Sequence, residues 1–154
     1  MDSVMTTKPT MKSAIVAAIG LLALAGLPSA VAAANPQGTW LSQKGDLKVR
    51  IGNCSGNRLC GTVVWLDEPT DPKTGRAKTD KKNPDPAKQT RPLLGLQVAS
   101  GLAPSGPNKW SGSIYNADDG RTYQVSLTQP DADTLRMQGC VLGILCKTHT
   151  WTRS

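Results

Sequence analysis

His149 is the only imidazole in the chain. A histidine exchanges a proton near neutral pH, so it is the first residue to weigh for acid–base chemistry. A histidine-based hydrolase also needs a nucleophile and an orienting carboxylate. No Gly-x-Ser-x-Gly elbow occurs in the sequence, no local motif pairs His149 with a carboxylate, and the only glutamate, Glu68, lies far upstream. No catalytic residue is expected, and His149 is read as a side chain on a strand.

Metal chemistry is equally poorly served. Cys54 and Cys60 bracket SGNRL, and Cys140 and Cys146 bracket VLGIL, so one spacing occurs twice. That spacing is wider than the usual gap of two to four residues between zinc ligands. The carboxylates and amide at Asp67, Asp71, Asp80, Asn83 and Asp85 offer oxygen ligands, with Gly75 as a turn. They lack the every-second-position spacing and closing glutamate of a calcium loop. No metal or cofactor is expected.

The elements that must position these residues begin after a leader. Lys8 and Lys12 precede the apolar run SAIVAAIGLLALAGL, and Pro28 leads into SAVAAA. A basic start, a short apolar run and an A-x-A site read as a secretory signal peptide over residues 1–34, cleaved after Ala32 or Ala34. Residues 35–154 are then one domain with no transmembrane segment, in the periplasm or outside the cell. Removing Lys8, Lys12 and Asp2 from 18 basic and 11 acidic side chains leaves 16 and 10, a net charge of +6. Export makes the cysteines disulfide candidates. Three pairings are open; two local staples, Cys54 with Cys60 and Cys140 with Cys146, fit the spacing best, each contributing about 2 kcal/mol.

From residue 38 onward, period-2 runs alternate with turn signals. Strands are expected over residues 38–43, 47–52, 60–66, 95–103, 109–116, 121–129, 134–141 and 146–153, with no amphipathic helix. ADDG at residues 117–120 is a good hairpin turn, because Asp-Gly accepts a positive φ. A flat sheet of eight such strands would expose its apolar face and both edges, so closure into an up-and-down antiparallel barrel is predicted. A two-sheet sandwich is the alternative. Alternation turns Val49, Ile51, Trp65, Trp110, Ile114, Tyr123, Val125, Leu127, Leu135, Met137, His149 and Trp151 inward. Phenylalanine is absent, so tryptophan supplies most of the bulk. An eight-stranded interior either fills with side chains or holds one small ligand; Gly112 and Gly139 at inward positions leave space and favour a cavity.

One long interruption, LDEPTDPKTGRAKTDKKNPDPAKQTRPLLG, spans residues 66–95. From Asp67 to Pro92 its seven basic residues face five acidic ones, and it has no aromatic residue. Near-balanced charge without stacking side chains argues against nucleic acid. Its five prolines restrict the chain, and Thr74-Gly75 and Asn83-Pro84 are turn signals. Asp80 and Asn83 can bond neighbouring amides, and Arg91 can bridge to a loop carboxylate. The stretch is read as an ordered flap over the barrel mouth, where Asp80, Lys81, Lys82, Asn83 and Arg91 form the rim.

Gly38-Thr39-Trp40 opens the first strand, and Arg153 lies two residues after Trp151 in the last. This pattern is similar to the lipocalin and calycin superfamily, in which a terminal arginine packs on the tryptophan of Gly-x-Trp. The resemblance implies that Gly38, Trp40 and Arg153 close the barrel floor. More specifically, GTWL, CGTVVWLDEPTDPKTGRAKTDKKNPDPAKQTRPLLGL, WSGSIYNADDGRTY and THTWTR, in that order, resemble a bacterial family of exported, functionally uncharacterised proteins with a lipocalin-like barrel. That family implies a small apolar or amphipathic ligand and supplies no activity. The expected function is therefore non-catalytic binding of a small hydrophobic or amphipathic molecule by Trp65, Trp110, Tyr123, Met137 and His149, with Arg91 and the loop lysines meeting an anionic head group. The alternative is a filled barrel that engages an envelope protein or polymer through its charged loop.

Overall fold

The computed structural model describes residues 34–141 and 144–154. The expected leader, apart from its last residue, lies outside them. Among the described residues no helix is long and apolar enough to cross a membrane.

Eight strands follow in chain order: β1 (Gly38–Leu41), β2 (Leu47–Ser55), β3 (Arg58–Leu66), β4 (Gln97–Gly106), β5 (Lys109–Asn116), β6 (Arg121–Asp131), β7 (Thr134–Val141) and β8 (Leu145–Arg153). Each pairs antiparallel with the next, and β8 returns to β1, so the sheet is a closed up-and-down barrel. The β1–β2, β3–β4, β5–β6 and β7–β8 connections therefore share one end, here the loop end. The other connections form the floor end.

Both cysteine pairs form local disulfides, Cys54–Cys60 and Cys140–Cys146. The strands run through the cysteines instead of stopping at them. β2 and β3 are separated only by Gly56 and Asn57, and Gly56 takes the positive φ of 53° that the tight turn needs.

The floor is closed by residues from both chain ends. Trp40 is fully buried, and its Nε1 donates to the Pro36 carbonyl at 2.7 Å. The Arg153 guanidinium lies 4.3 Å from the Trp40 ring centroid. It donates to the carbonyls of Ala132, Gln37 and Asn35 at 2.7, 3.0 and 3.0 Å. Stacking on indole and three directed bonds suit the planar, always-charged guanidinium. Gly38 has φ +132°, and a Cβ there would lie 2.5 Å from Arg153 Nη1. Glycine is therefore required both by its backbone and by the arginine it borders.

Above this floor Val49, Ile51, Leu59, Val63, Ala99, Leu102, Val125, Leu127 and Leu135 form the core. Trp65 departs from the expected interior. The register shifts between β2 and β3, with Lys48 opposite Trp65 but Val49 opposite Val63. Val64 is thus an extra residue that reverses the alternation beyond it. Trp65 stands outside the barrel, 38% exposed, with Lys48 Nζ 5.3 Å from its ring centroid.

Candidate functional site

Register places the remaining inward side chains in rows. Trp110 pairs with Leu127, Leu127 with Met137, and Met137 with His149, so four adjacent strands present them side by side on one face. Trp110 and Met137 pack against the core cluster, as do Ile114, Tyr123 and Trp151. That face is therefore the inner one. His149 shares it yet is exposed to solvent, so water reaches the inner wall at the β8 side of the barrel. The neighbouring row toward the loop end is Gly112, Val125, Gly139 and Lys147.

The two glycines of that row differ. A Cβ on Gly112 would lie 2.8 Å from the backbone of Leu102 and Ser100 in β4, where the β4–β5 register shifts between Ser100 and Ala103. Gly112 accommodates the bulged strand and leaves no free space, contrary to the sequence expectation. A Cβ on Gly139 would meet Val125 only at 3.4 Å, an ordinary contact, so space remains on that wall.

The wall is mostly apolar, with polar groups at its loop-end edge. The Tyr123 hydroxyl donates to Asp119 Oδ2 at 2.6 Å. This bond holds the Asp119 carboxyl below the usual range and raises the Tyr123 phenol. Among the described residues His149 has neither an ion-pair nor a hydrogen-bond partner of its side chain. The wall is therefore apolar, with the exposed His149 and Lys147 among its polar groups.

Residues 67–96, between β3 and β4, contain one 3-10 turn (Pro86–Lys88) and two isolated bridges, Thr70 with Ala77 and Thr79 with Pro92. Asp71 organises the first turn. Its carbonyl accepts from Gly75 N at 2.8 Å, its Oδ1 accepts from Lys73 N at 2.9 Å, and its Oδ2 accepts from Lys81. Asp85 caps the 3-10 turn through Ala87 N at 3.0 Å.

At the centre of the segment Asp80 is fully buried. Tyr115 donates to its Oδ1 at 2.6 Å, while Asn83 Nδ2 and Arg91 Nε donate to Oδ2 at 2.8 and 3.0 Å. Arg91 Nη2 lies 2.8 Å from the same oxygen. Burial pushes the Asp80 carboxyl up, but the bonds from Tyr115, Asn83 and Arg91, with the arginine charge, outweigh it and hold the pKa below the ordinary value. Asn83 is also spent on the loop: its Oδ1 accepts from Asp85 N at 2.9 Å and its carbonyl accepts from Gln89 Nε2 at 2.9 Å. Asp80, Asn83 and Arg91 thus satisfy one another instead of offering a rim site. Lys81 is paired with Asp71, whereas Lys82 has no ion pair among the described residues.

The segment is anchored on the outside of the barrel. Tyr115 follows the core-packed Ile114 in β5, so it points outward, and the backbone carbonyl of Lys82 abuts Gly120 in the β5–β6 turn. Any Cβ at Gly120 would collide with that carbonyl, and its φ of +72° also favours glycine. The loop is therefore tied to β5 and to the β5–β6 turn. Between the loop and the β5–β6 turn lies an open cleft of about 470 Å3, bordered by Lys73, Lys78, Lys82, Leu93, Ala117 and Asp118. Sequence reasoning missed Tyr115, whose outward position in a strand gave it no reason to meet a buried carboxylate; the missed signal was the ADDG turn, which can receive another backbone.

A family model described as "Uncharacterized protein conserved in bacteria (DUF2147)" matches residues 38–153. The chain belongs to that family. No curated protein matches this DUF2147 barrel significantly. A solved structure similar to it is that of protein HP1028 from Helicobacter pylori, described as belonging to the lipocalin family. The two share 26% identity with a TM-score of 0.64, over 77% of this chain and 82% of HP1028. The DUF2147 chain is thus a lipocalin-like barrel by architecture as well as by its floor.

Proposed function

We propose that this DUF2147 protein is an exported, non-catalytic barrel that binds a small hydrophobic or amphipathic molecule on its inner wall. Trp110, Tyr123, Met137 and His149 would line the site with Ile114 and Trp151. Trp65 takes no part, and Lys147 replaces Arg91 as the cation nearest a polar head group. The observation that carries this reading is the exposure of His149 on the same inner face as core-packed Met137 and Trp151. Such a wall, apolar with few polar groups at one edge, is what small-ligand sites commonly present. The two local disulfides and the bacterial family fit an oxidising compartment.

The test is native mass spectrometry of the purified protein with displacement of an environment-sensitive dye by lipid extracts. Gly139→Leu would project a side chain into the remaining space, so dye affinity is expected to fall at least tenfold while the unfolding midpoint is retained. Equal dye binding by the variant and the parent, or no bound molecule and no dye binding by either, would refute the proposal.

A further inference from the structure

The large hydrophobic side chains that stand exposed among the described residues are Trp65, Leu94, Val141, Ile144 and Leu145. All five lie at the loop end. Trp65 is near the end of β3, Leu94 lies at the base of the long loop, and Val141, Ile144 and Leu145 flank the β7–β8 turn. Ile144 and Leu145 are the most exposed, at 80% and 68%. Solitary surface hydrophobics are ordinary, but five gathered at one end of a small barrel mark an interaction surface.

Their arrangement narrows the partner. In a closed ring of eight strands β3 and β7 are four places apart, so the Trp65–Leu94 pair and the β7–β8 group stand on opposite sides of the rim with the mouth between them. A peptide in a groove would meet one group; a flat partner facing the end would meet both. Five cations lie at the same end, Lys44 in the β1–β2 turn, Lys48 against Trp65, Lys82 in the loop, Arg121 at the start of β6 and Lys147 in β8, alongside the carboxylates Asp46, Asp67, Asp118 and Asp119. None of these five is in an ion pair among the described residues. Tryptophan, aliphatic tips and cations without ion pairs gathered at one end of the barrel are the chemistry of attachment to an acidic lipid surface.

We propose that the loop end docks on an anionic bilayer, with Val141, Ile144 and Leu145 entering the acyl boundary, Trp65 and Leu94 at the headgroup level, and the lysines against lipid phosphates. The barrel mouth then opens toward the membrane. This inference does not depend on what the interior binds, and vesicle binding and dye binding are separate measurements.

The experiment is sedimentation with vesicles of phosphatidylglycerol and phosphatidylethanolamine, alongside phosphatidylcholine vesicles, using the purified protein and the double variant Ile144→Asp, Leu145→Asp. Both side chains are exposed, so circular dichroism and the unfolding midpoint should be unchanged. Binding to the acidic vesicles is expected to exceed binding to phosphatidylcholine, to weaken with added salt, and to fall at least tenfold in the variant. Brominated lipid should quench a fluorescence component that Trp65→Phe removes, a readout specific to this end of the barrel. Equal binding by the variant and the parent, absence of the Trp65-dependent quenching, or a concentration-dependent dimer that the double variant abolishes without any vesicle binding would overturn the proposal.

Discussion

The Tyr115 hydroxyl donates to Asp80 Oδ1 at 2.6 Å, joining the outer face of β5 to a fully buried carboxylate in the loop between β3 and β4. That bond is the loop's side-chain tie to the barrel wall, with Asn83 Nδ2 adding a second to the same hydroxyl at 3.0 Å. Arg91 lies 5.6 Å from the Tyr115 ring centroid and neutralises the carboxylate from the other side.

Removing either partner should release the loop before it unfolds the barrel. Tyr115→Phe deletes the hydrogen bond to the Asp80 carboxylate and the one from Asn83, and is expected to cost about 2 kcal/mol. Asp80→Ala leaves Arg91 and Tyr115 without their acceptor and should cost about 3 kcal/mol. Urea unfolding measures both costs. Amide exchange should accelerate most at Asp80 and Leu93, whose amides are bonded to the Arg91 and Lys78 carbonyls, while β6 and β7 keep their protection.

The same pair sets a pH window. The Asp80 pKa lies below its ordinary value of 3.8, so its stabilising contribution is present above that value and is lost as pH falls through the folded-state pKa. Burial and the Asp80 bond raise the Tyr115 phenol above its ordinary 10.0. Its contribution is therefore complete below that value and is lost as pH rises through the folded-state pKa. Loop protection in amide exchange, corrected for intrinsic rates, should fall below pH 3.8 in the parent. In Asp80→Asn this acid-side loss should largely vanish.

At the floor, Gly38→Ala combines a strained φ of +132° with a Cβ that displaces Arg153. A loss of about 2–3 kcal/mol in stability is expected. Arg153→Ala in the same background should add less than it does alone, because the alanine at residue 38 has already disturbed the stacked guanidinium. A double-mutant cycle by urea unfolding measures that coupling.

The two tryptophans that the sequence placed together should separate sharply. Trp65→Ala removes an outer side chain and is expected to change stability by about 0.5 kcal/mol or less. Trp110→Ala removes an inner one packed on the core and should cost about 3 kcal/mol. Thermal unfolding distinguishes them.

Much of the barrel was legible locally. Alternation in LKVRI, SIYN and TYQVSL, separated by KGD and ADDG, already implies short antiparallel strands with one apolar face. An apolar face on so many strands must be covered, and closure does that without a second layer. The ends of the chain, Gly38-x-Trp40 and Arg153, carried the floor because stacking and glycine geometry constrain residue type directly. Local cysteine spacing favoured the two staples because cysteines six residues apart across a tight turn come together on adjacent strands.

The tertiary structure decided what period-2 reading cannot reach. One extra residue, Val64, turned Trp65 from the expected interior to the outside, because a bulge reverses every later side chain and leaves little mark on composition. Pairing across four strands set Trp110, Leu127, Met137 and His149 in one row, a relation among residues up to 39 positions apart. Asp80, Arg91 and Tyr115 became one cluster around a buried carboxylate only when the loop reached β5. The sequence by itself determined which side chains must hide and where the chain must turn, since both follow from local pattern and residue geometry. Which hidden faces meet, and which charges neutralise one another, depended on long-range register and loop path, and these are properties of the closed sheet.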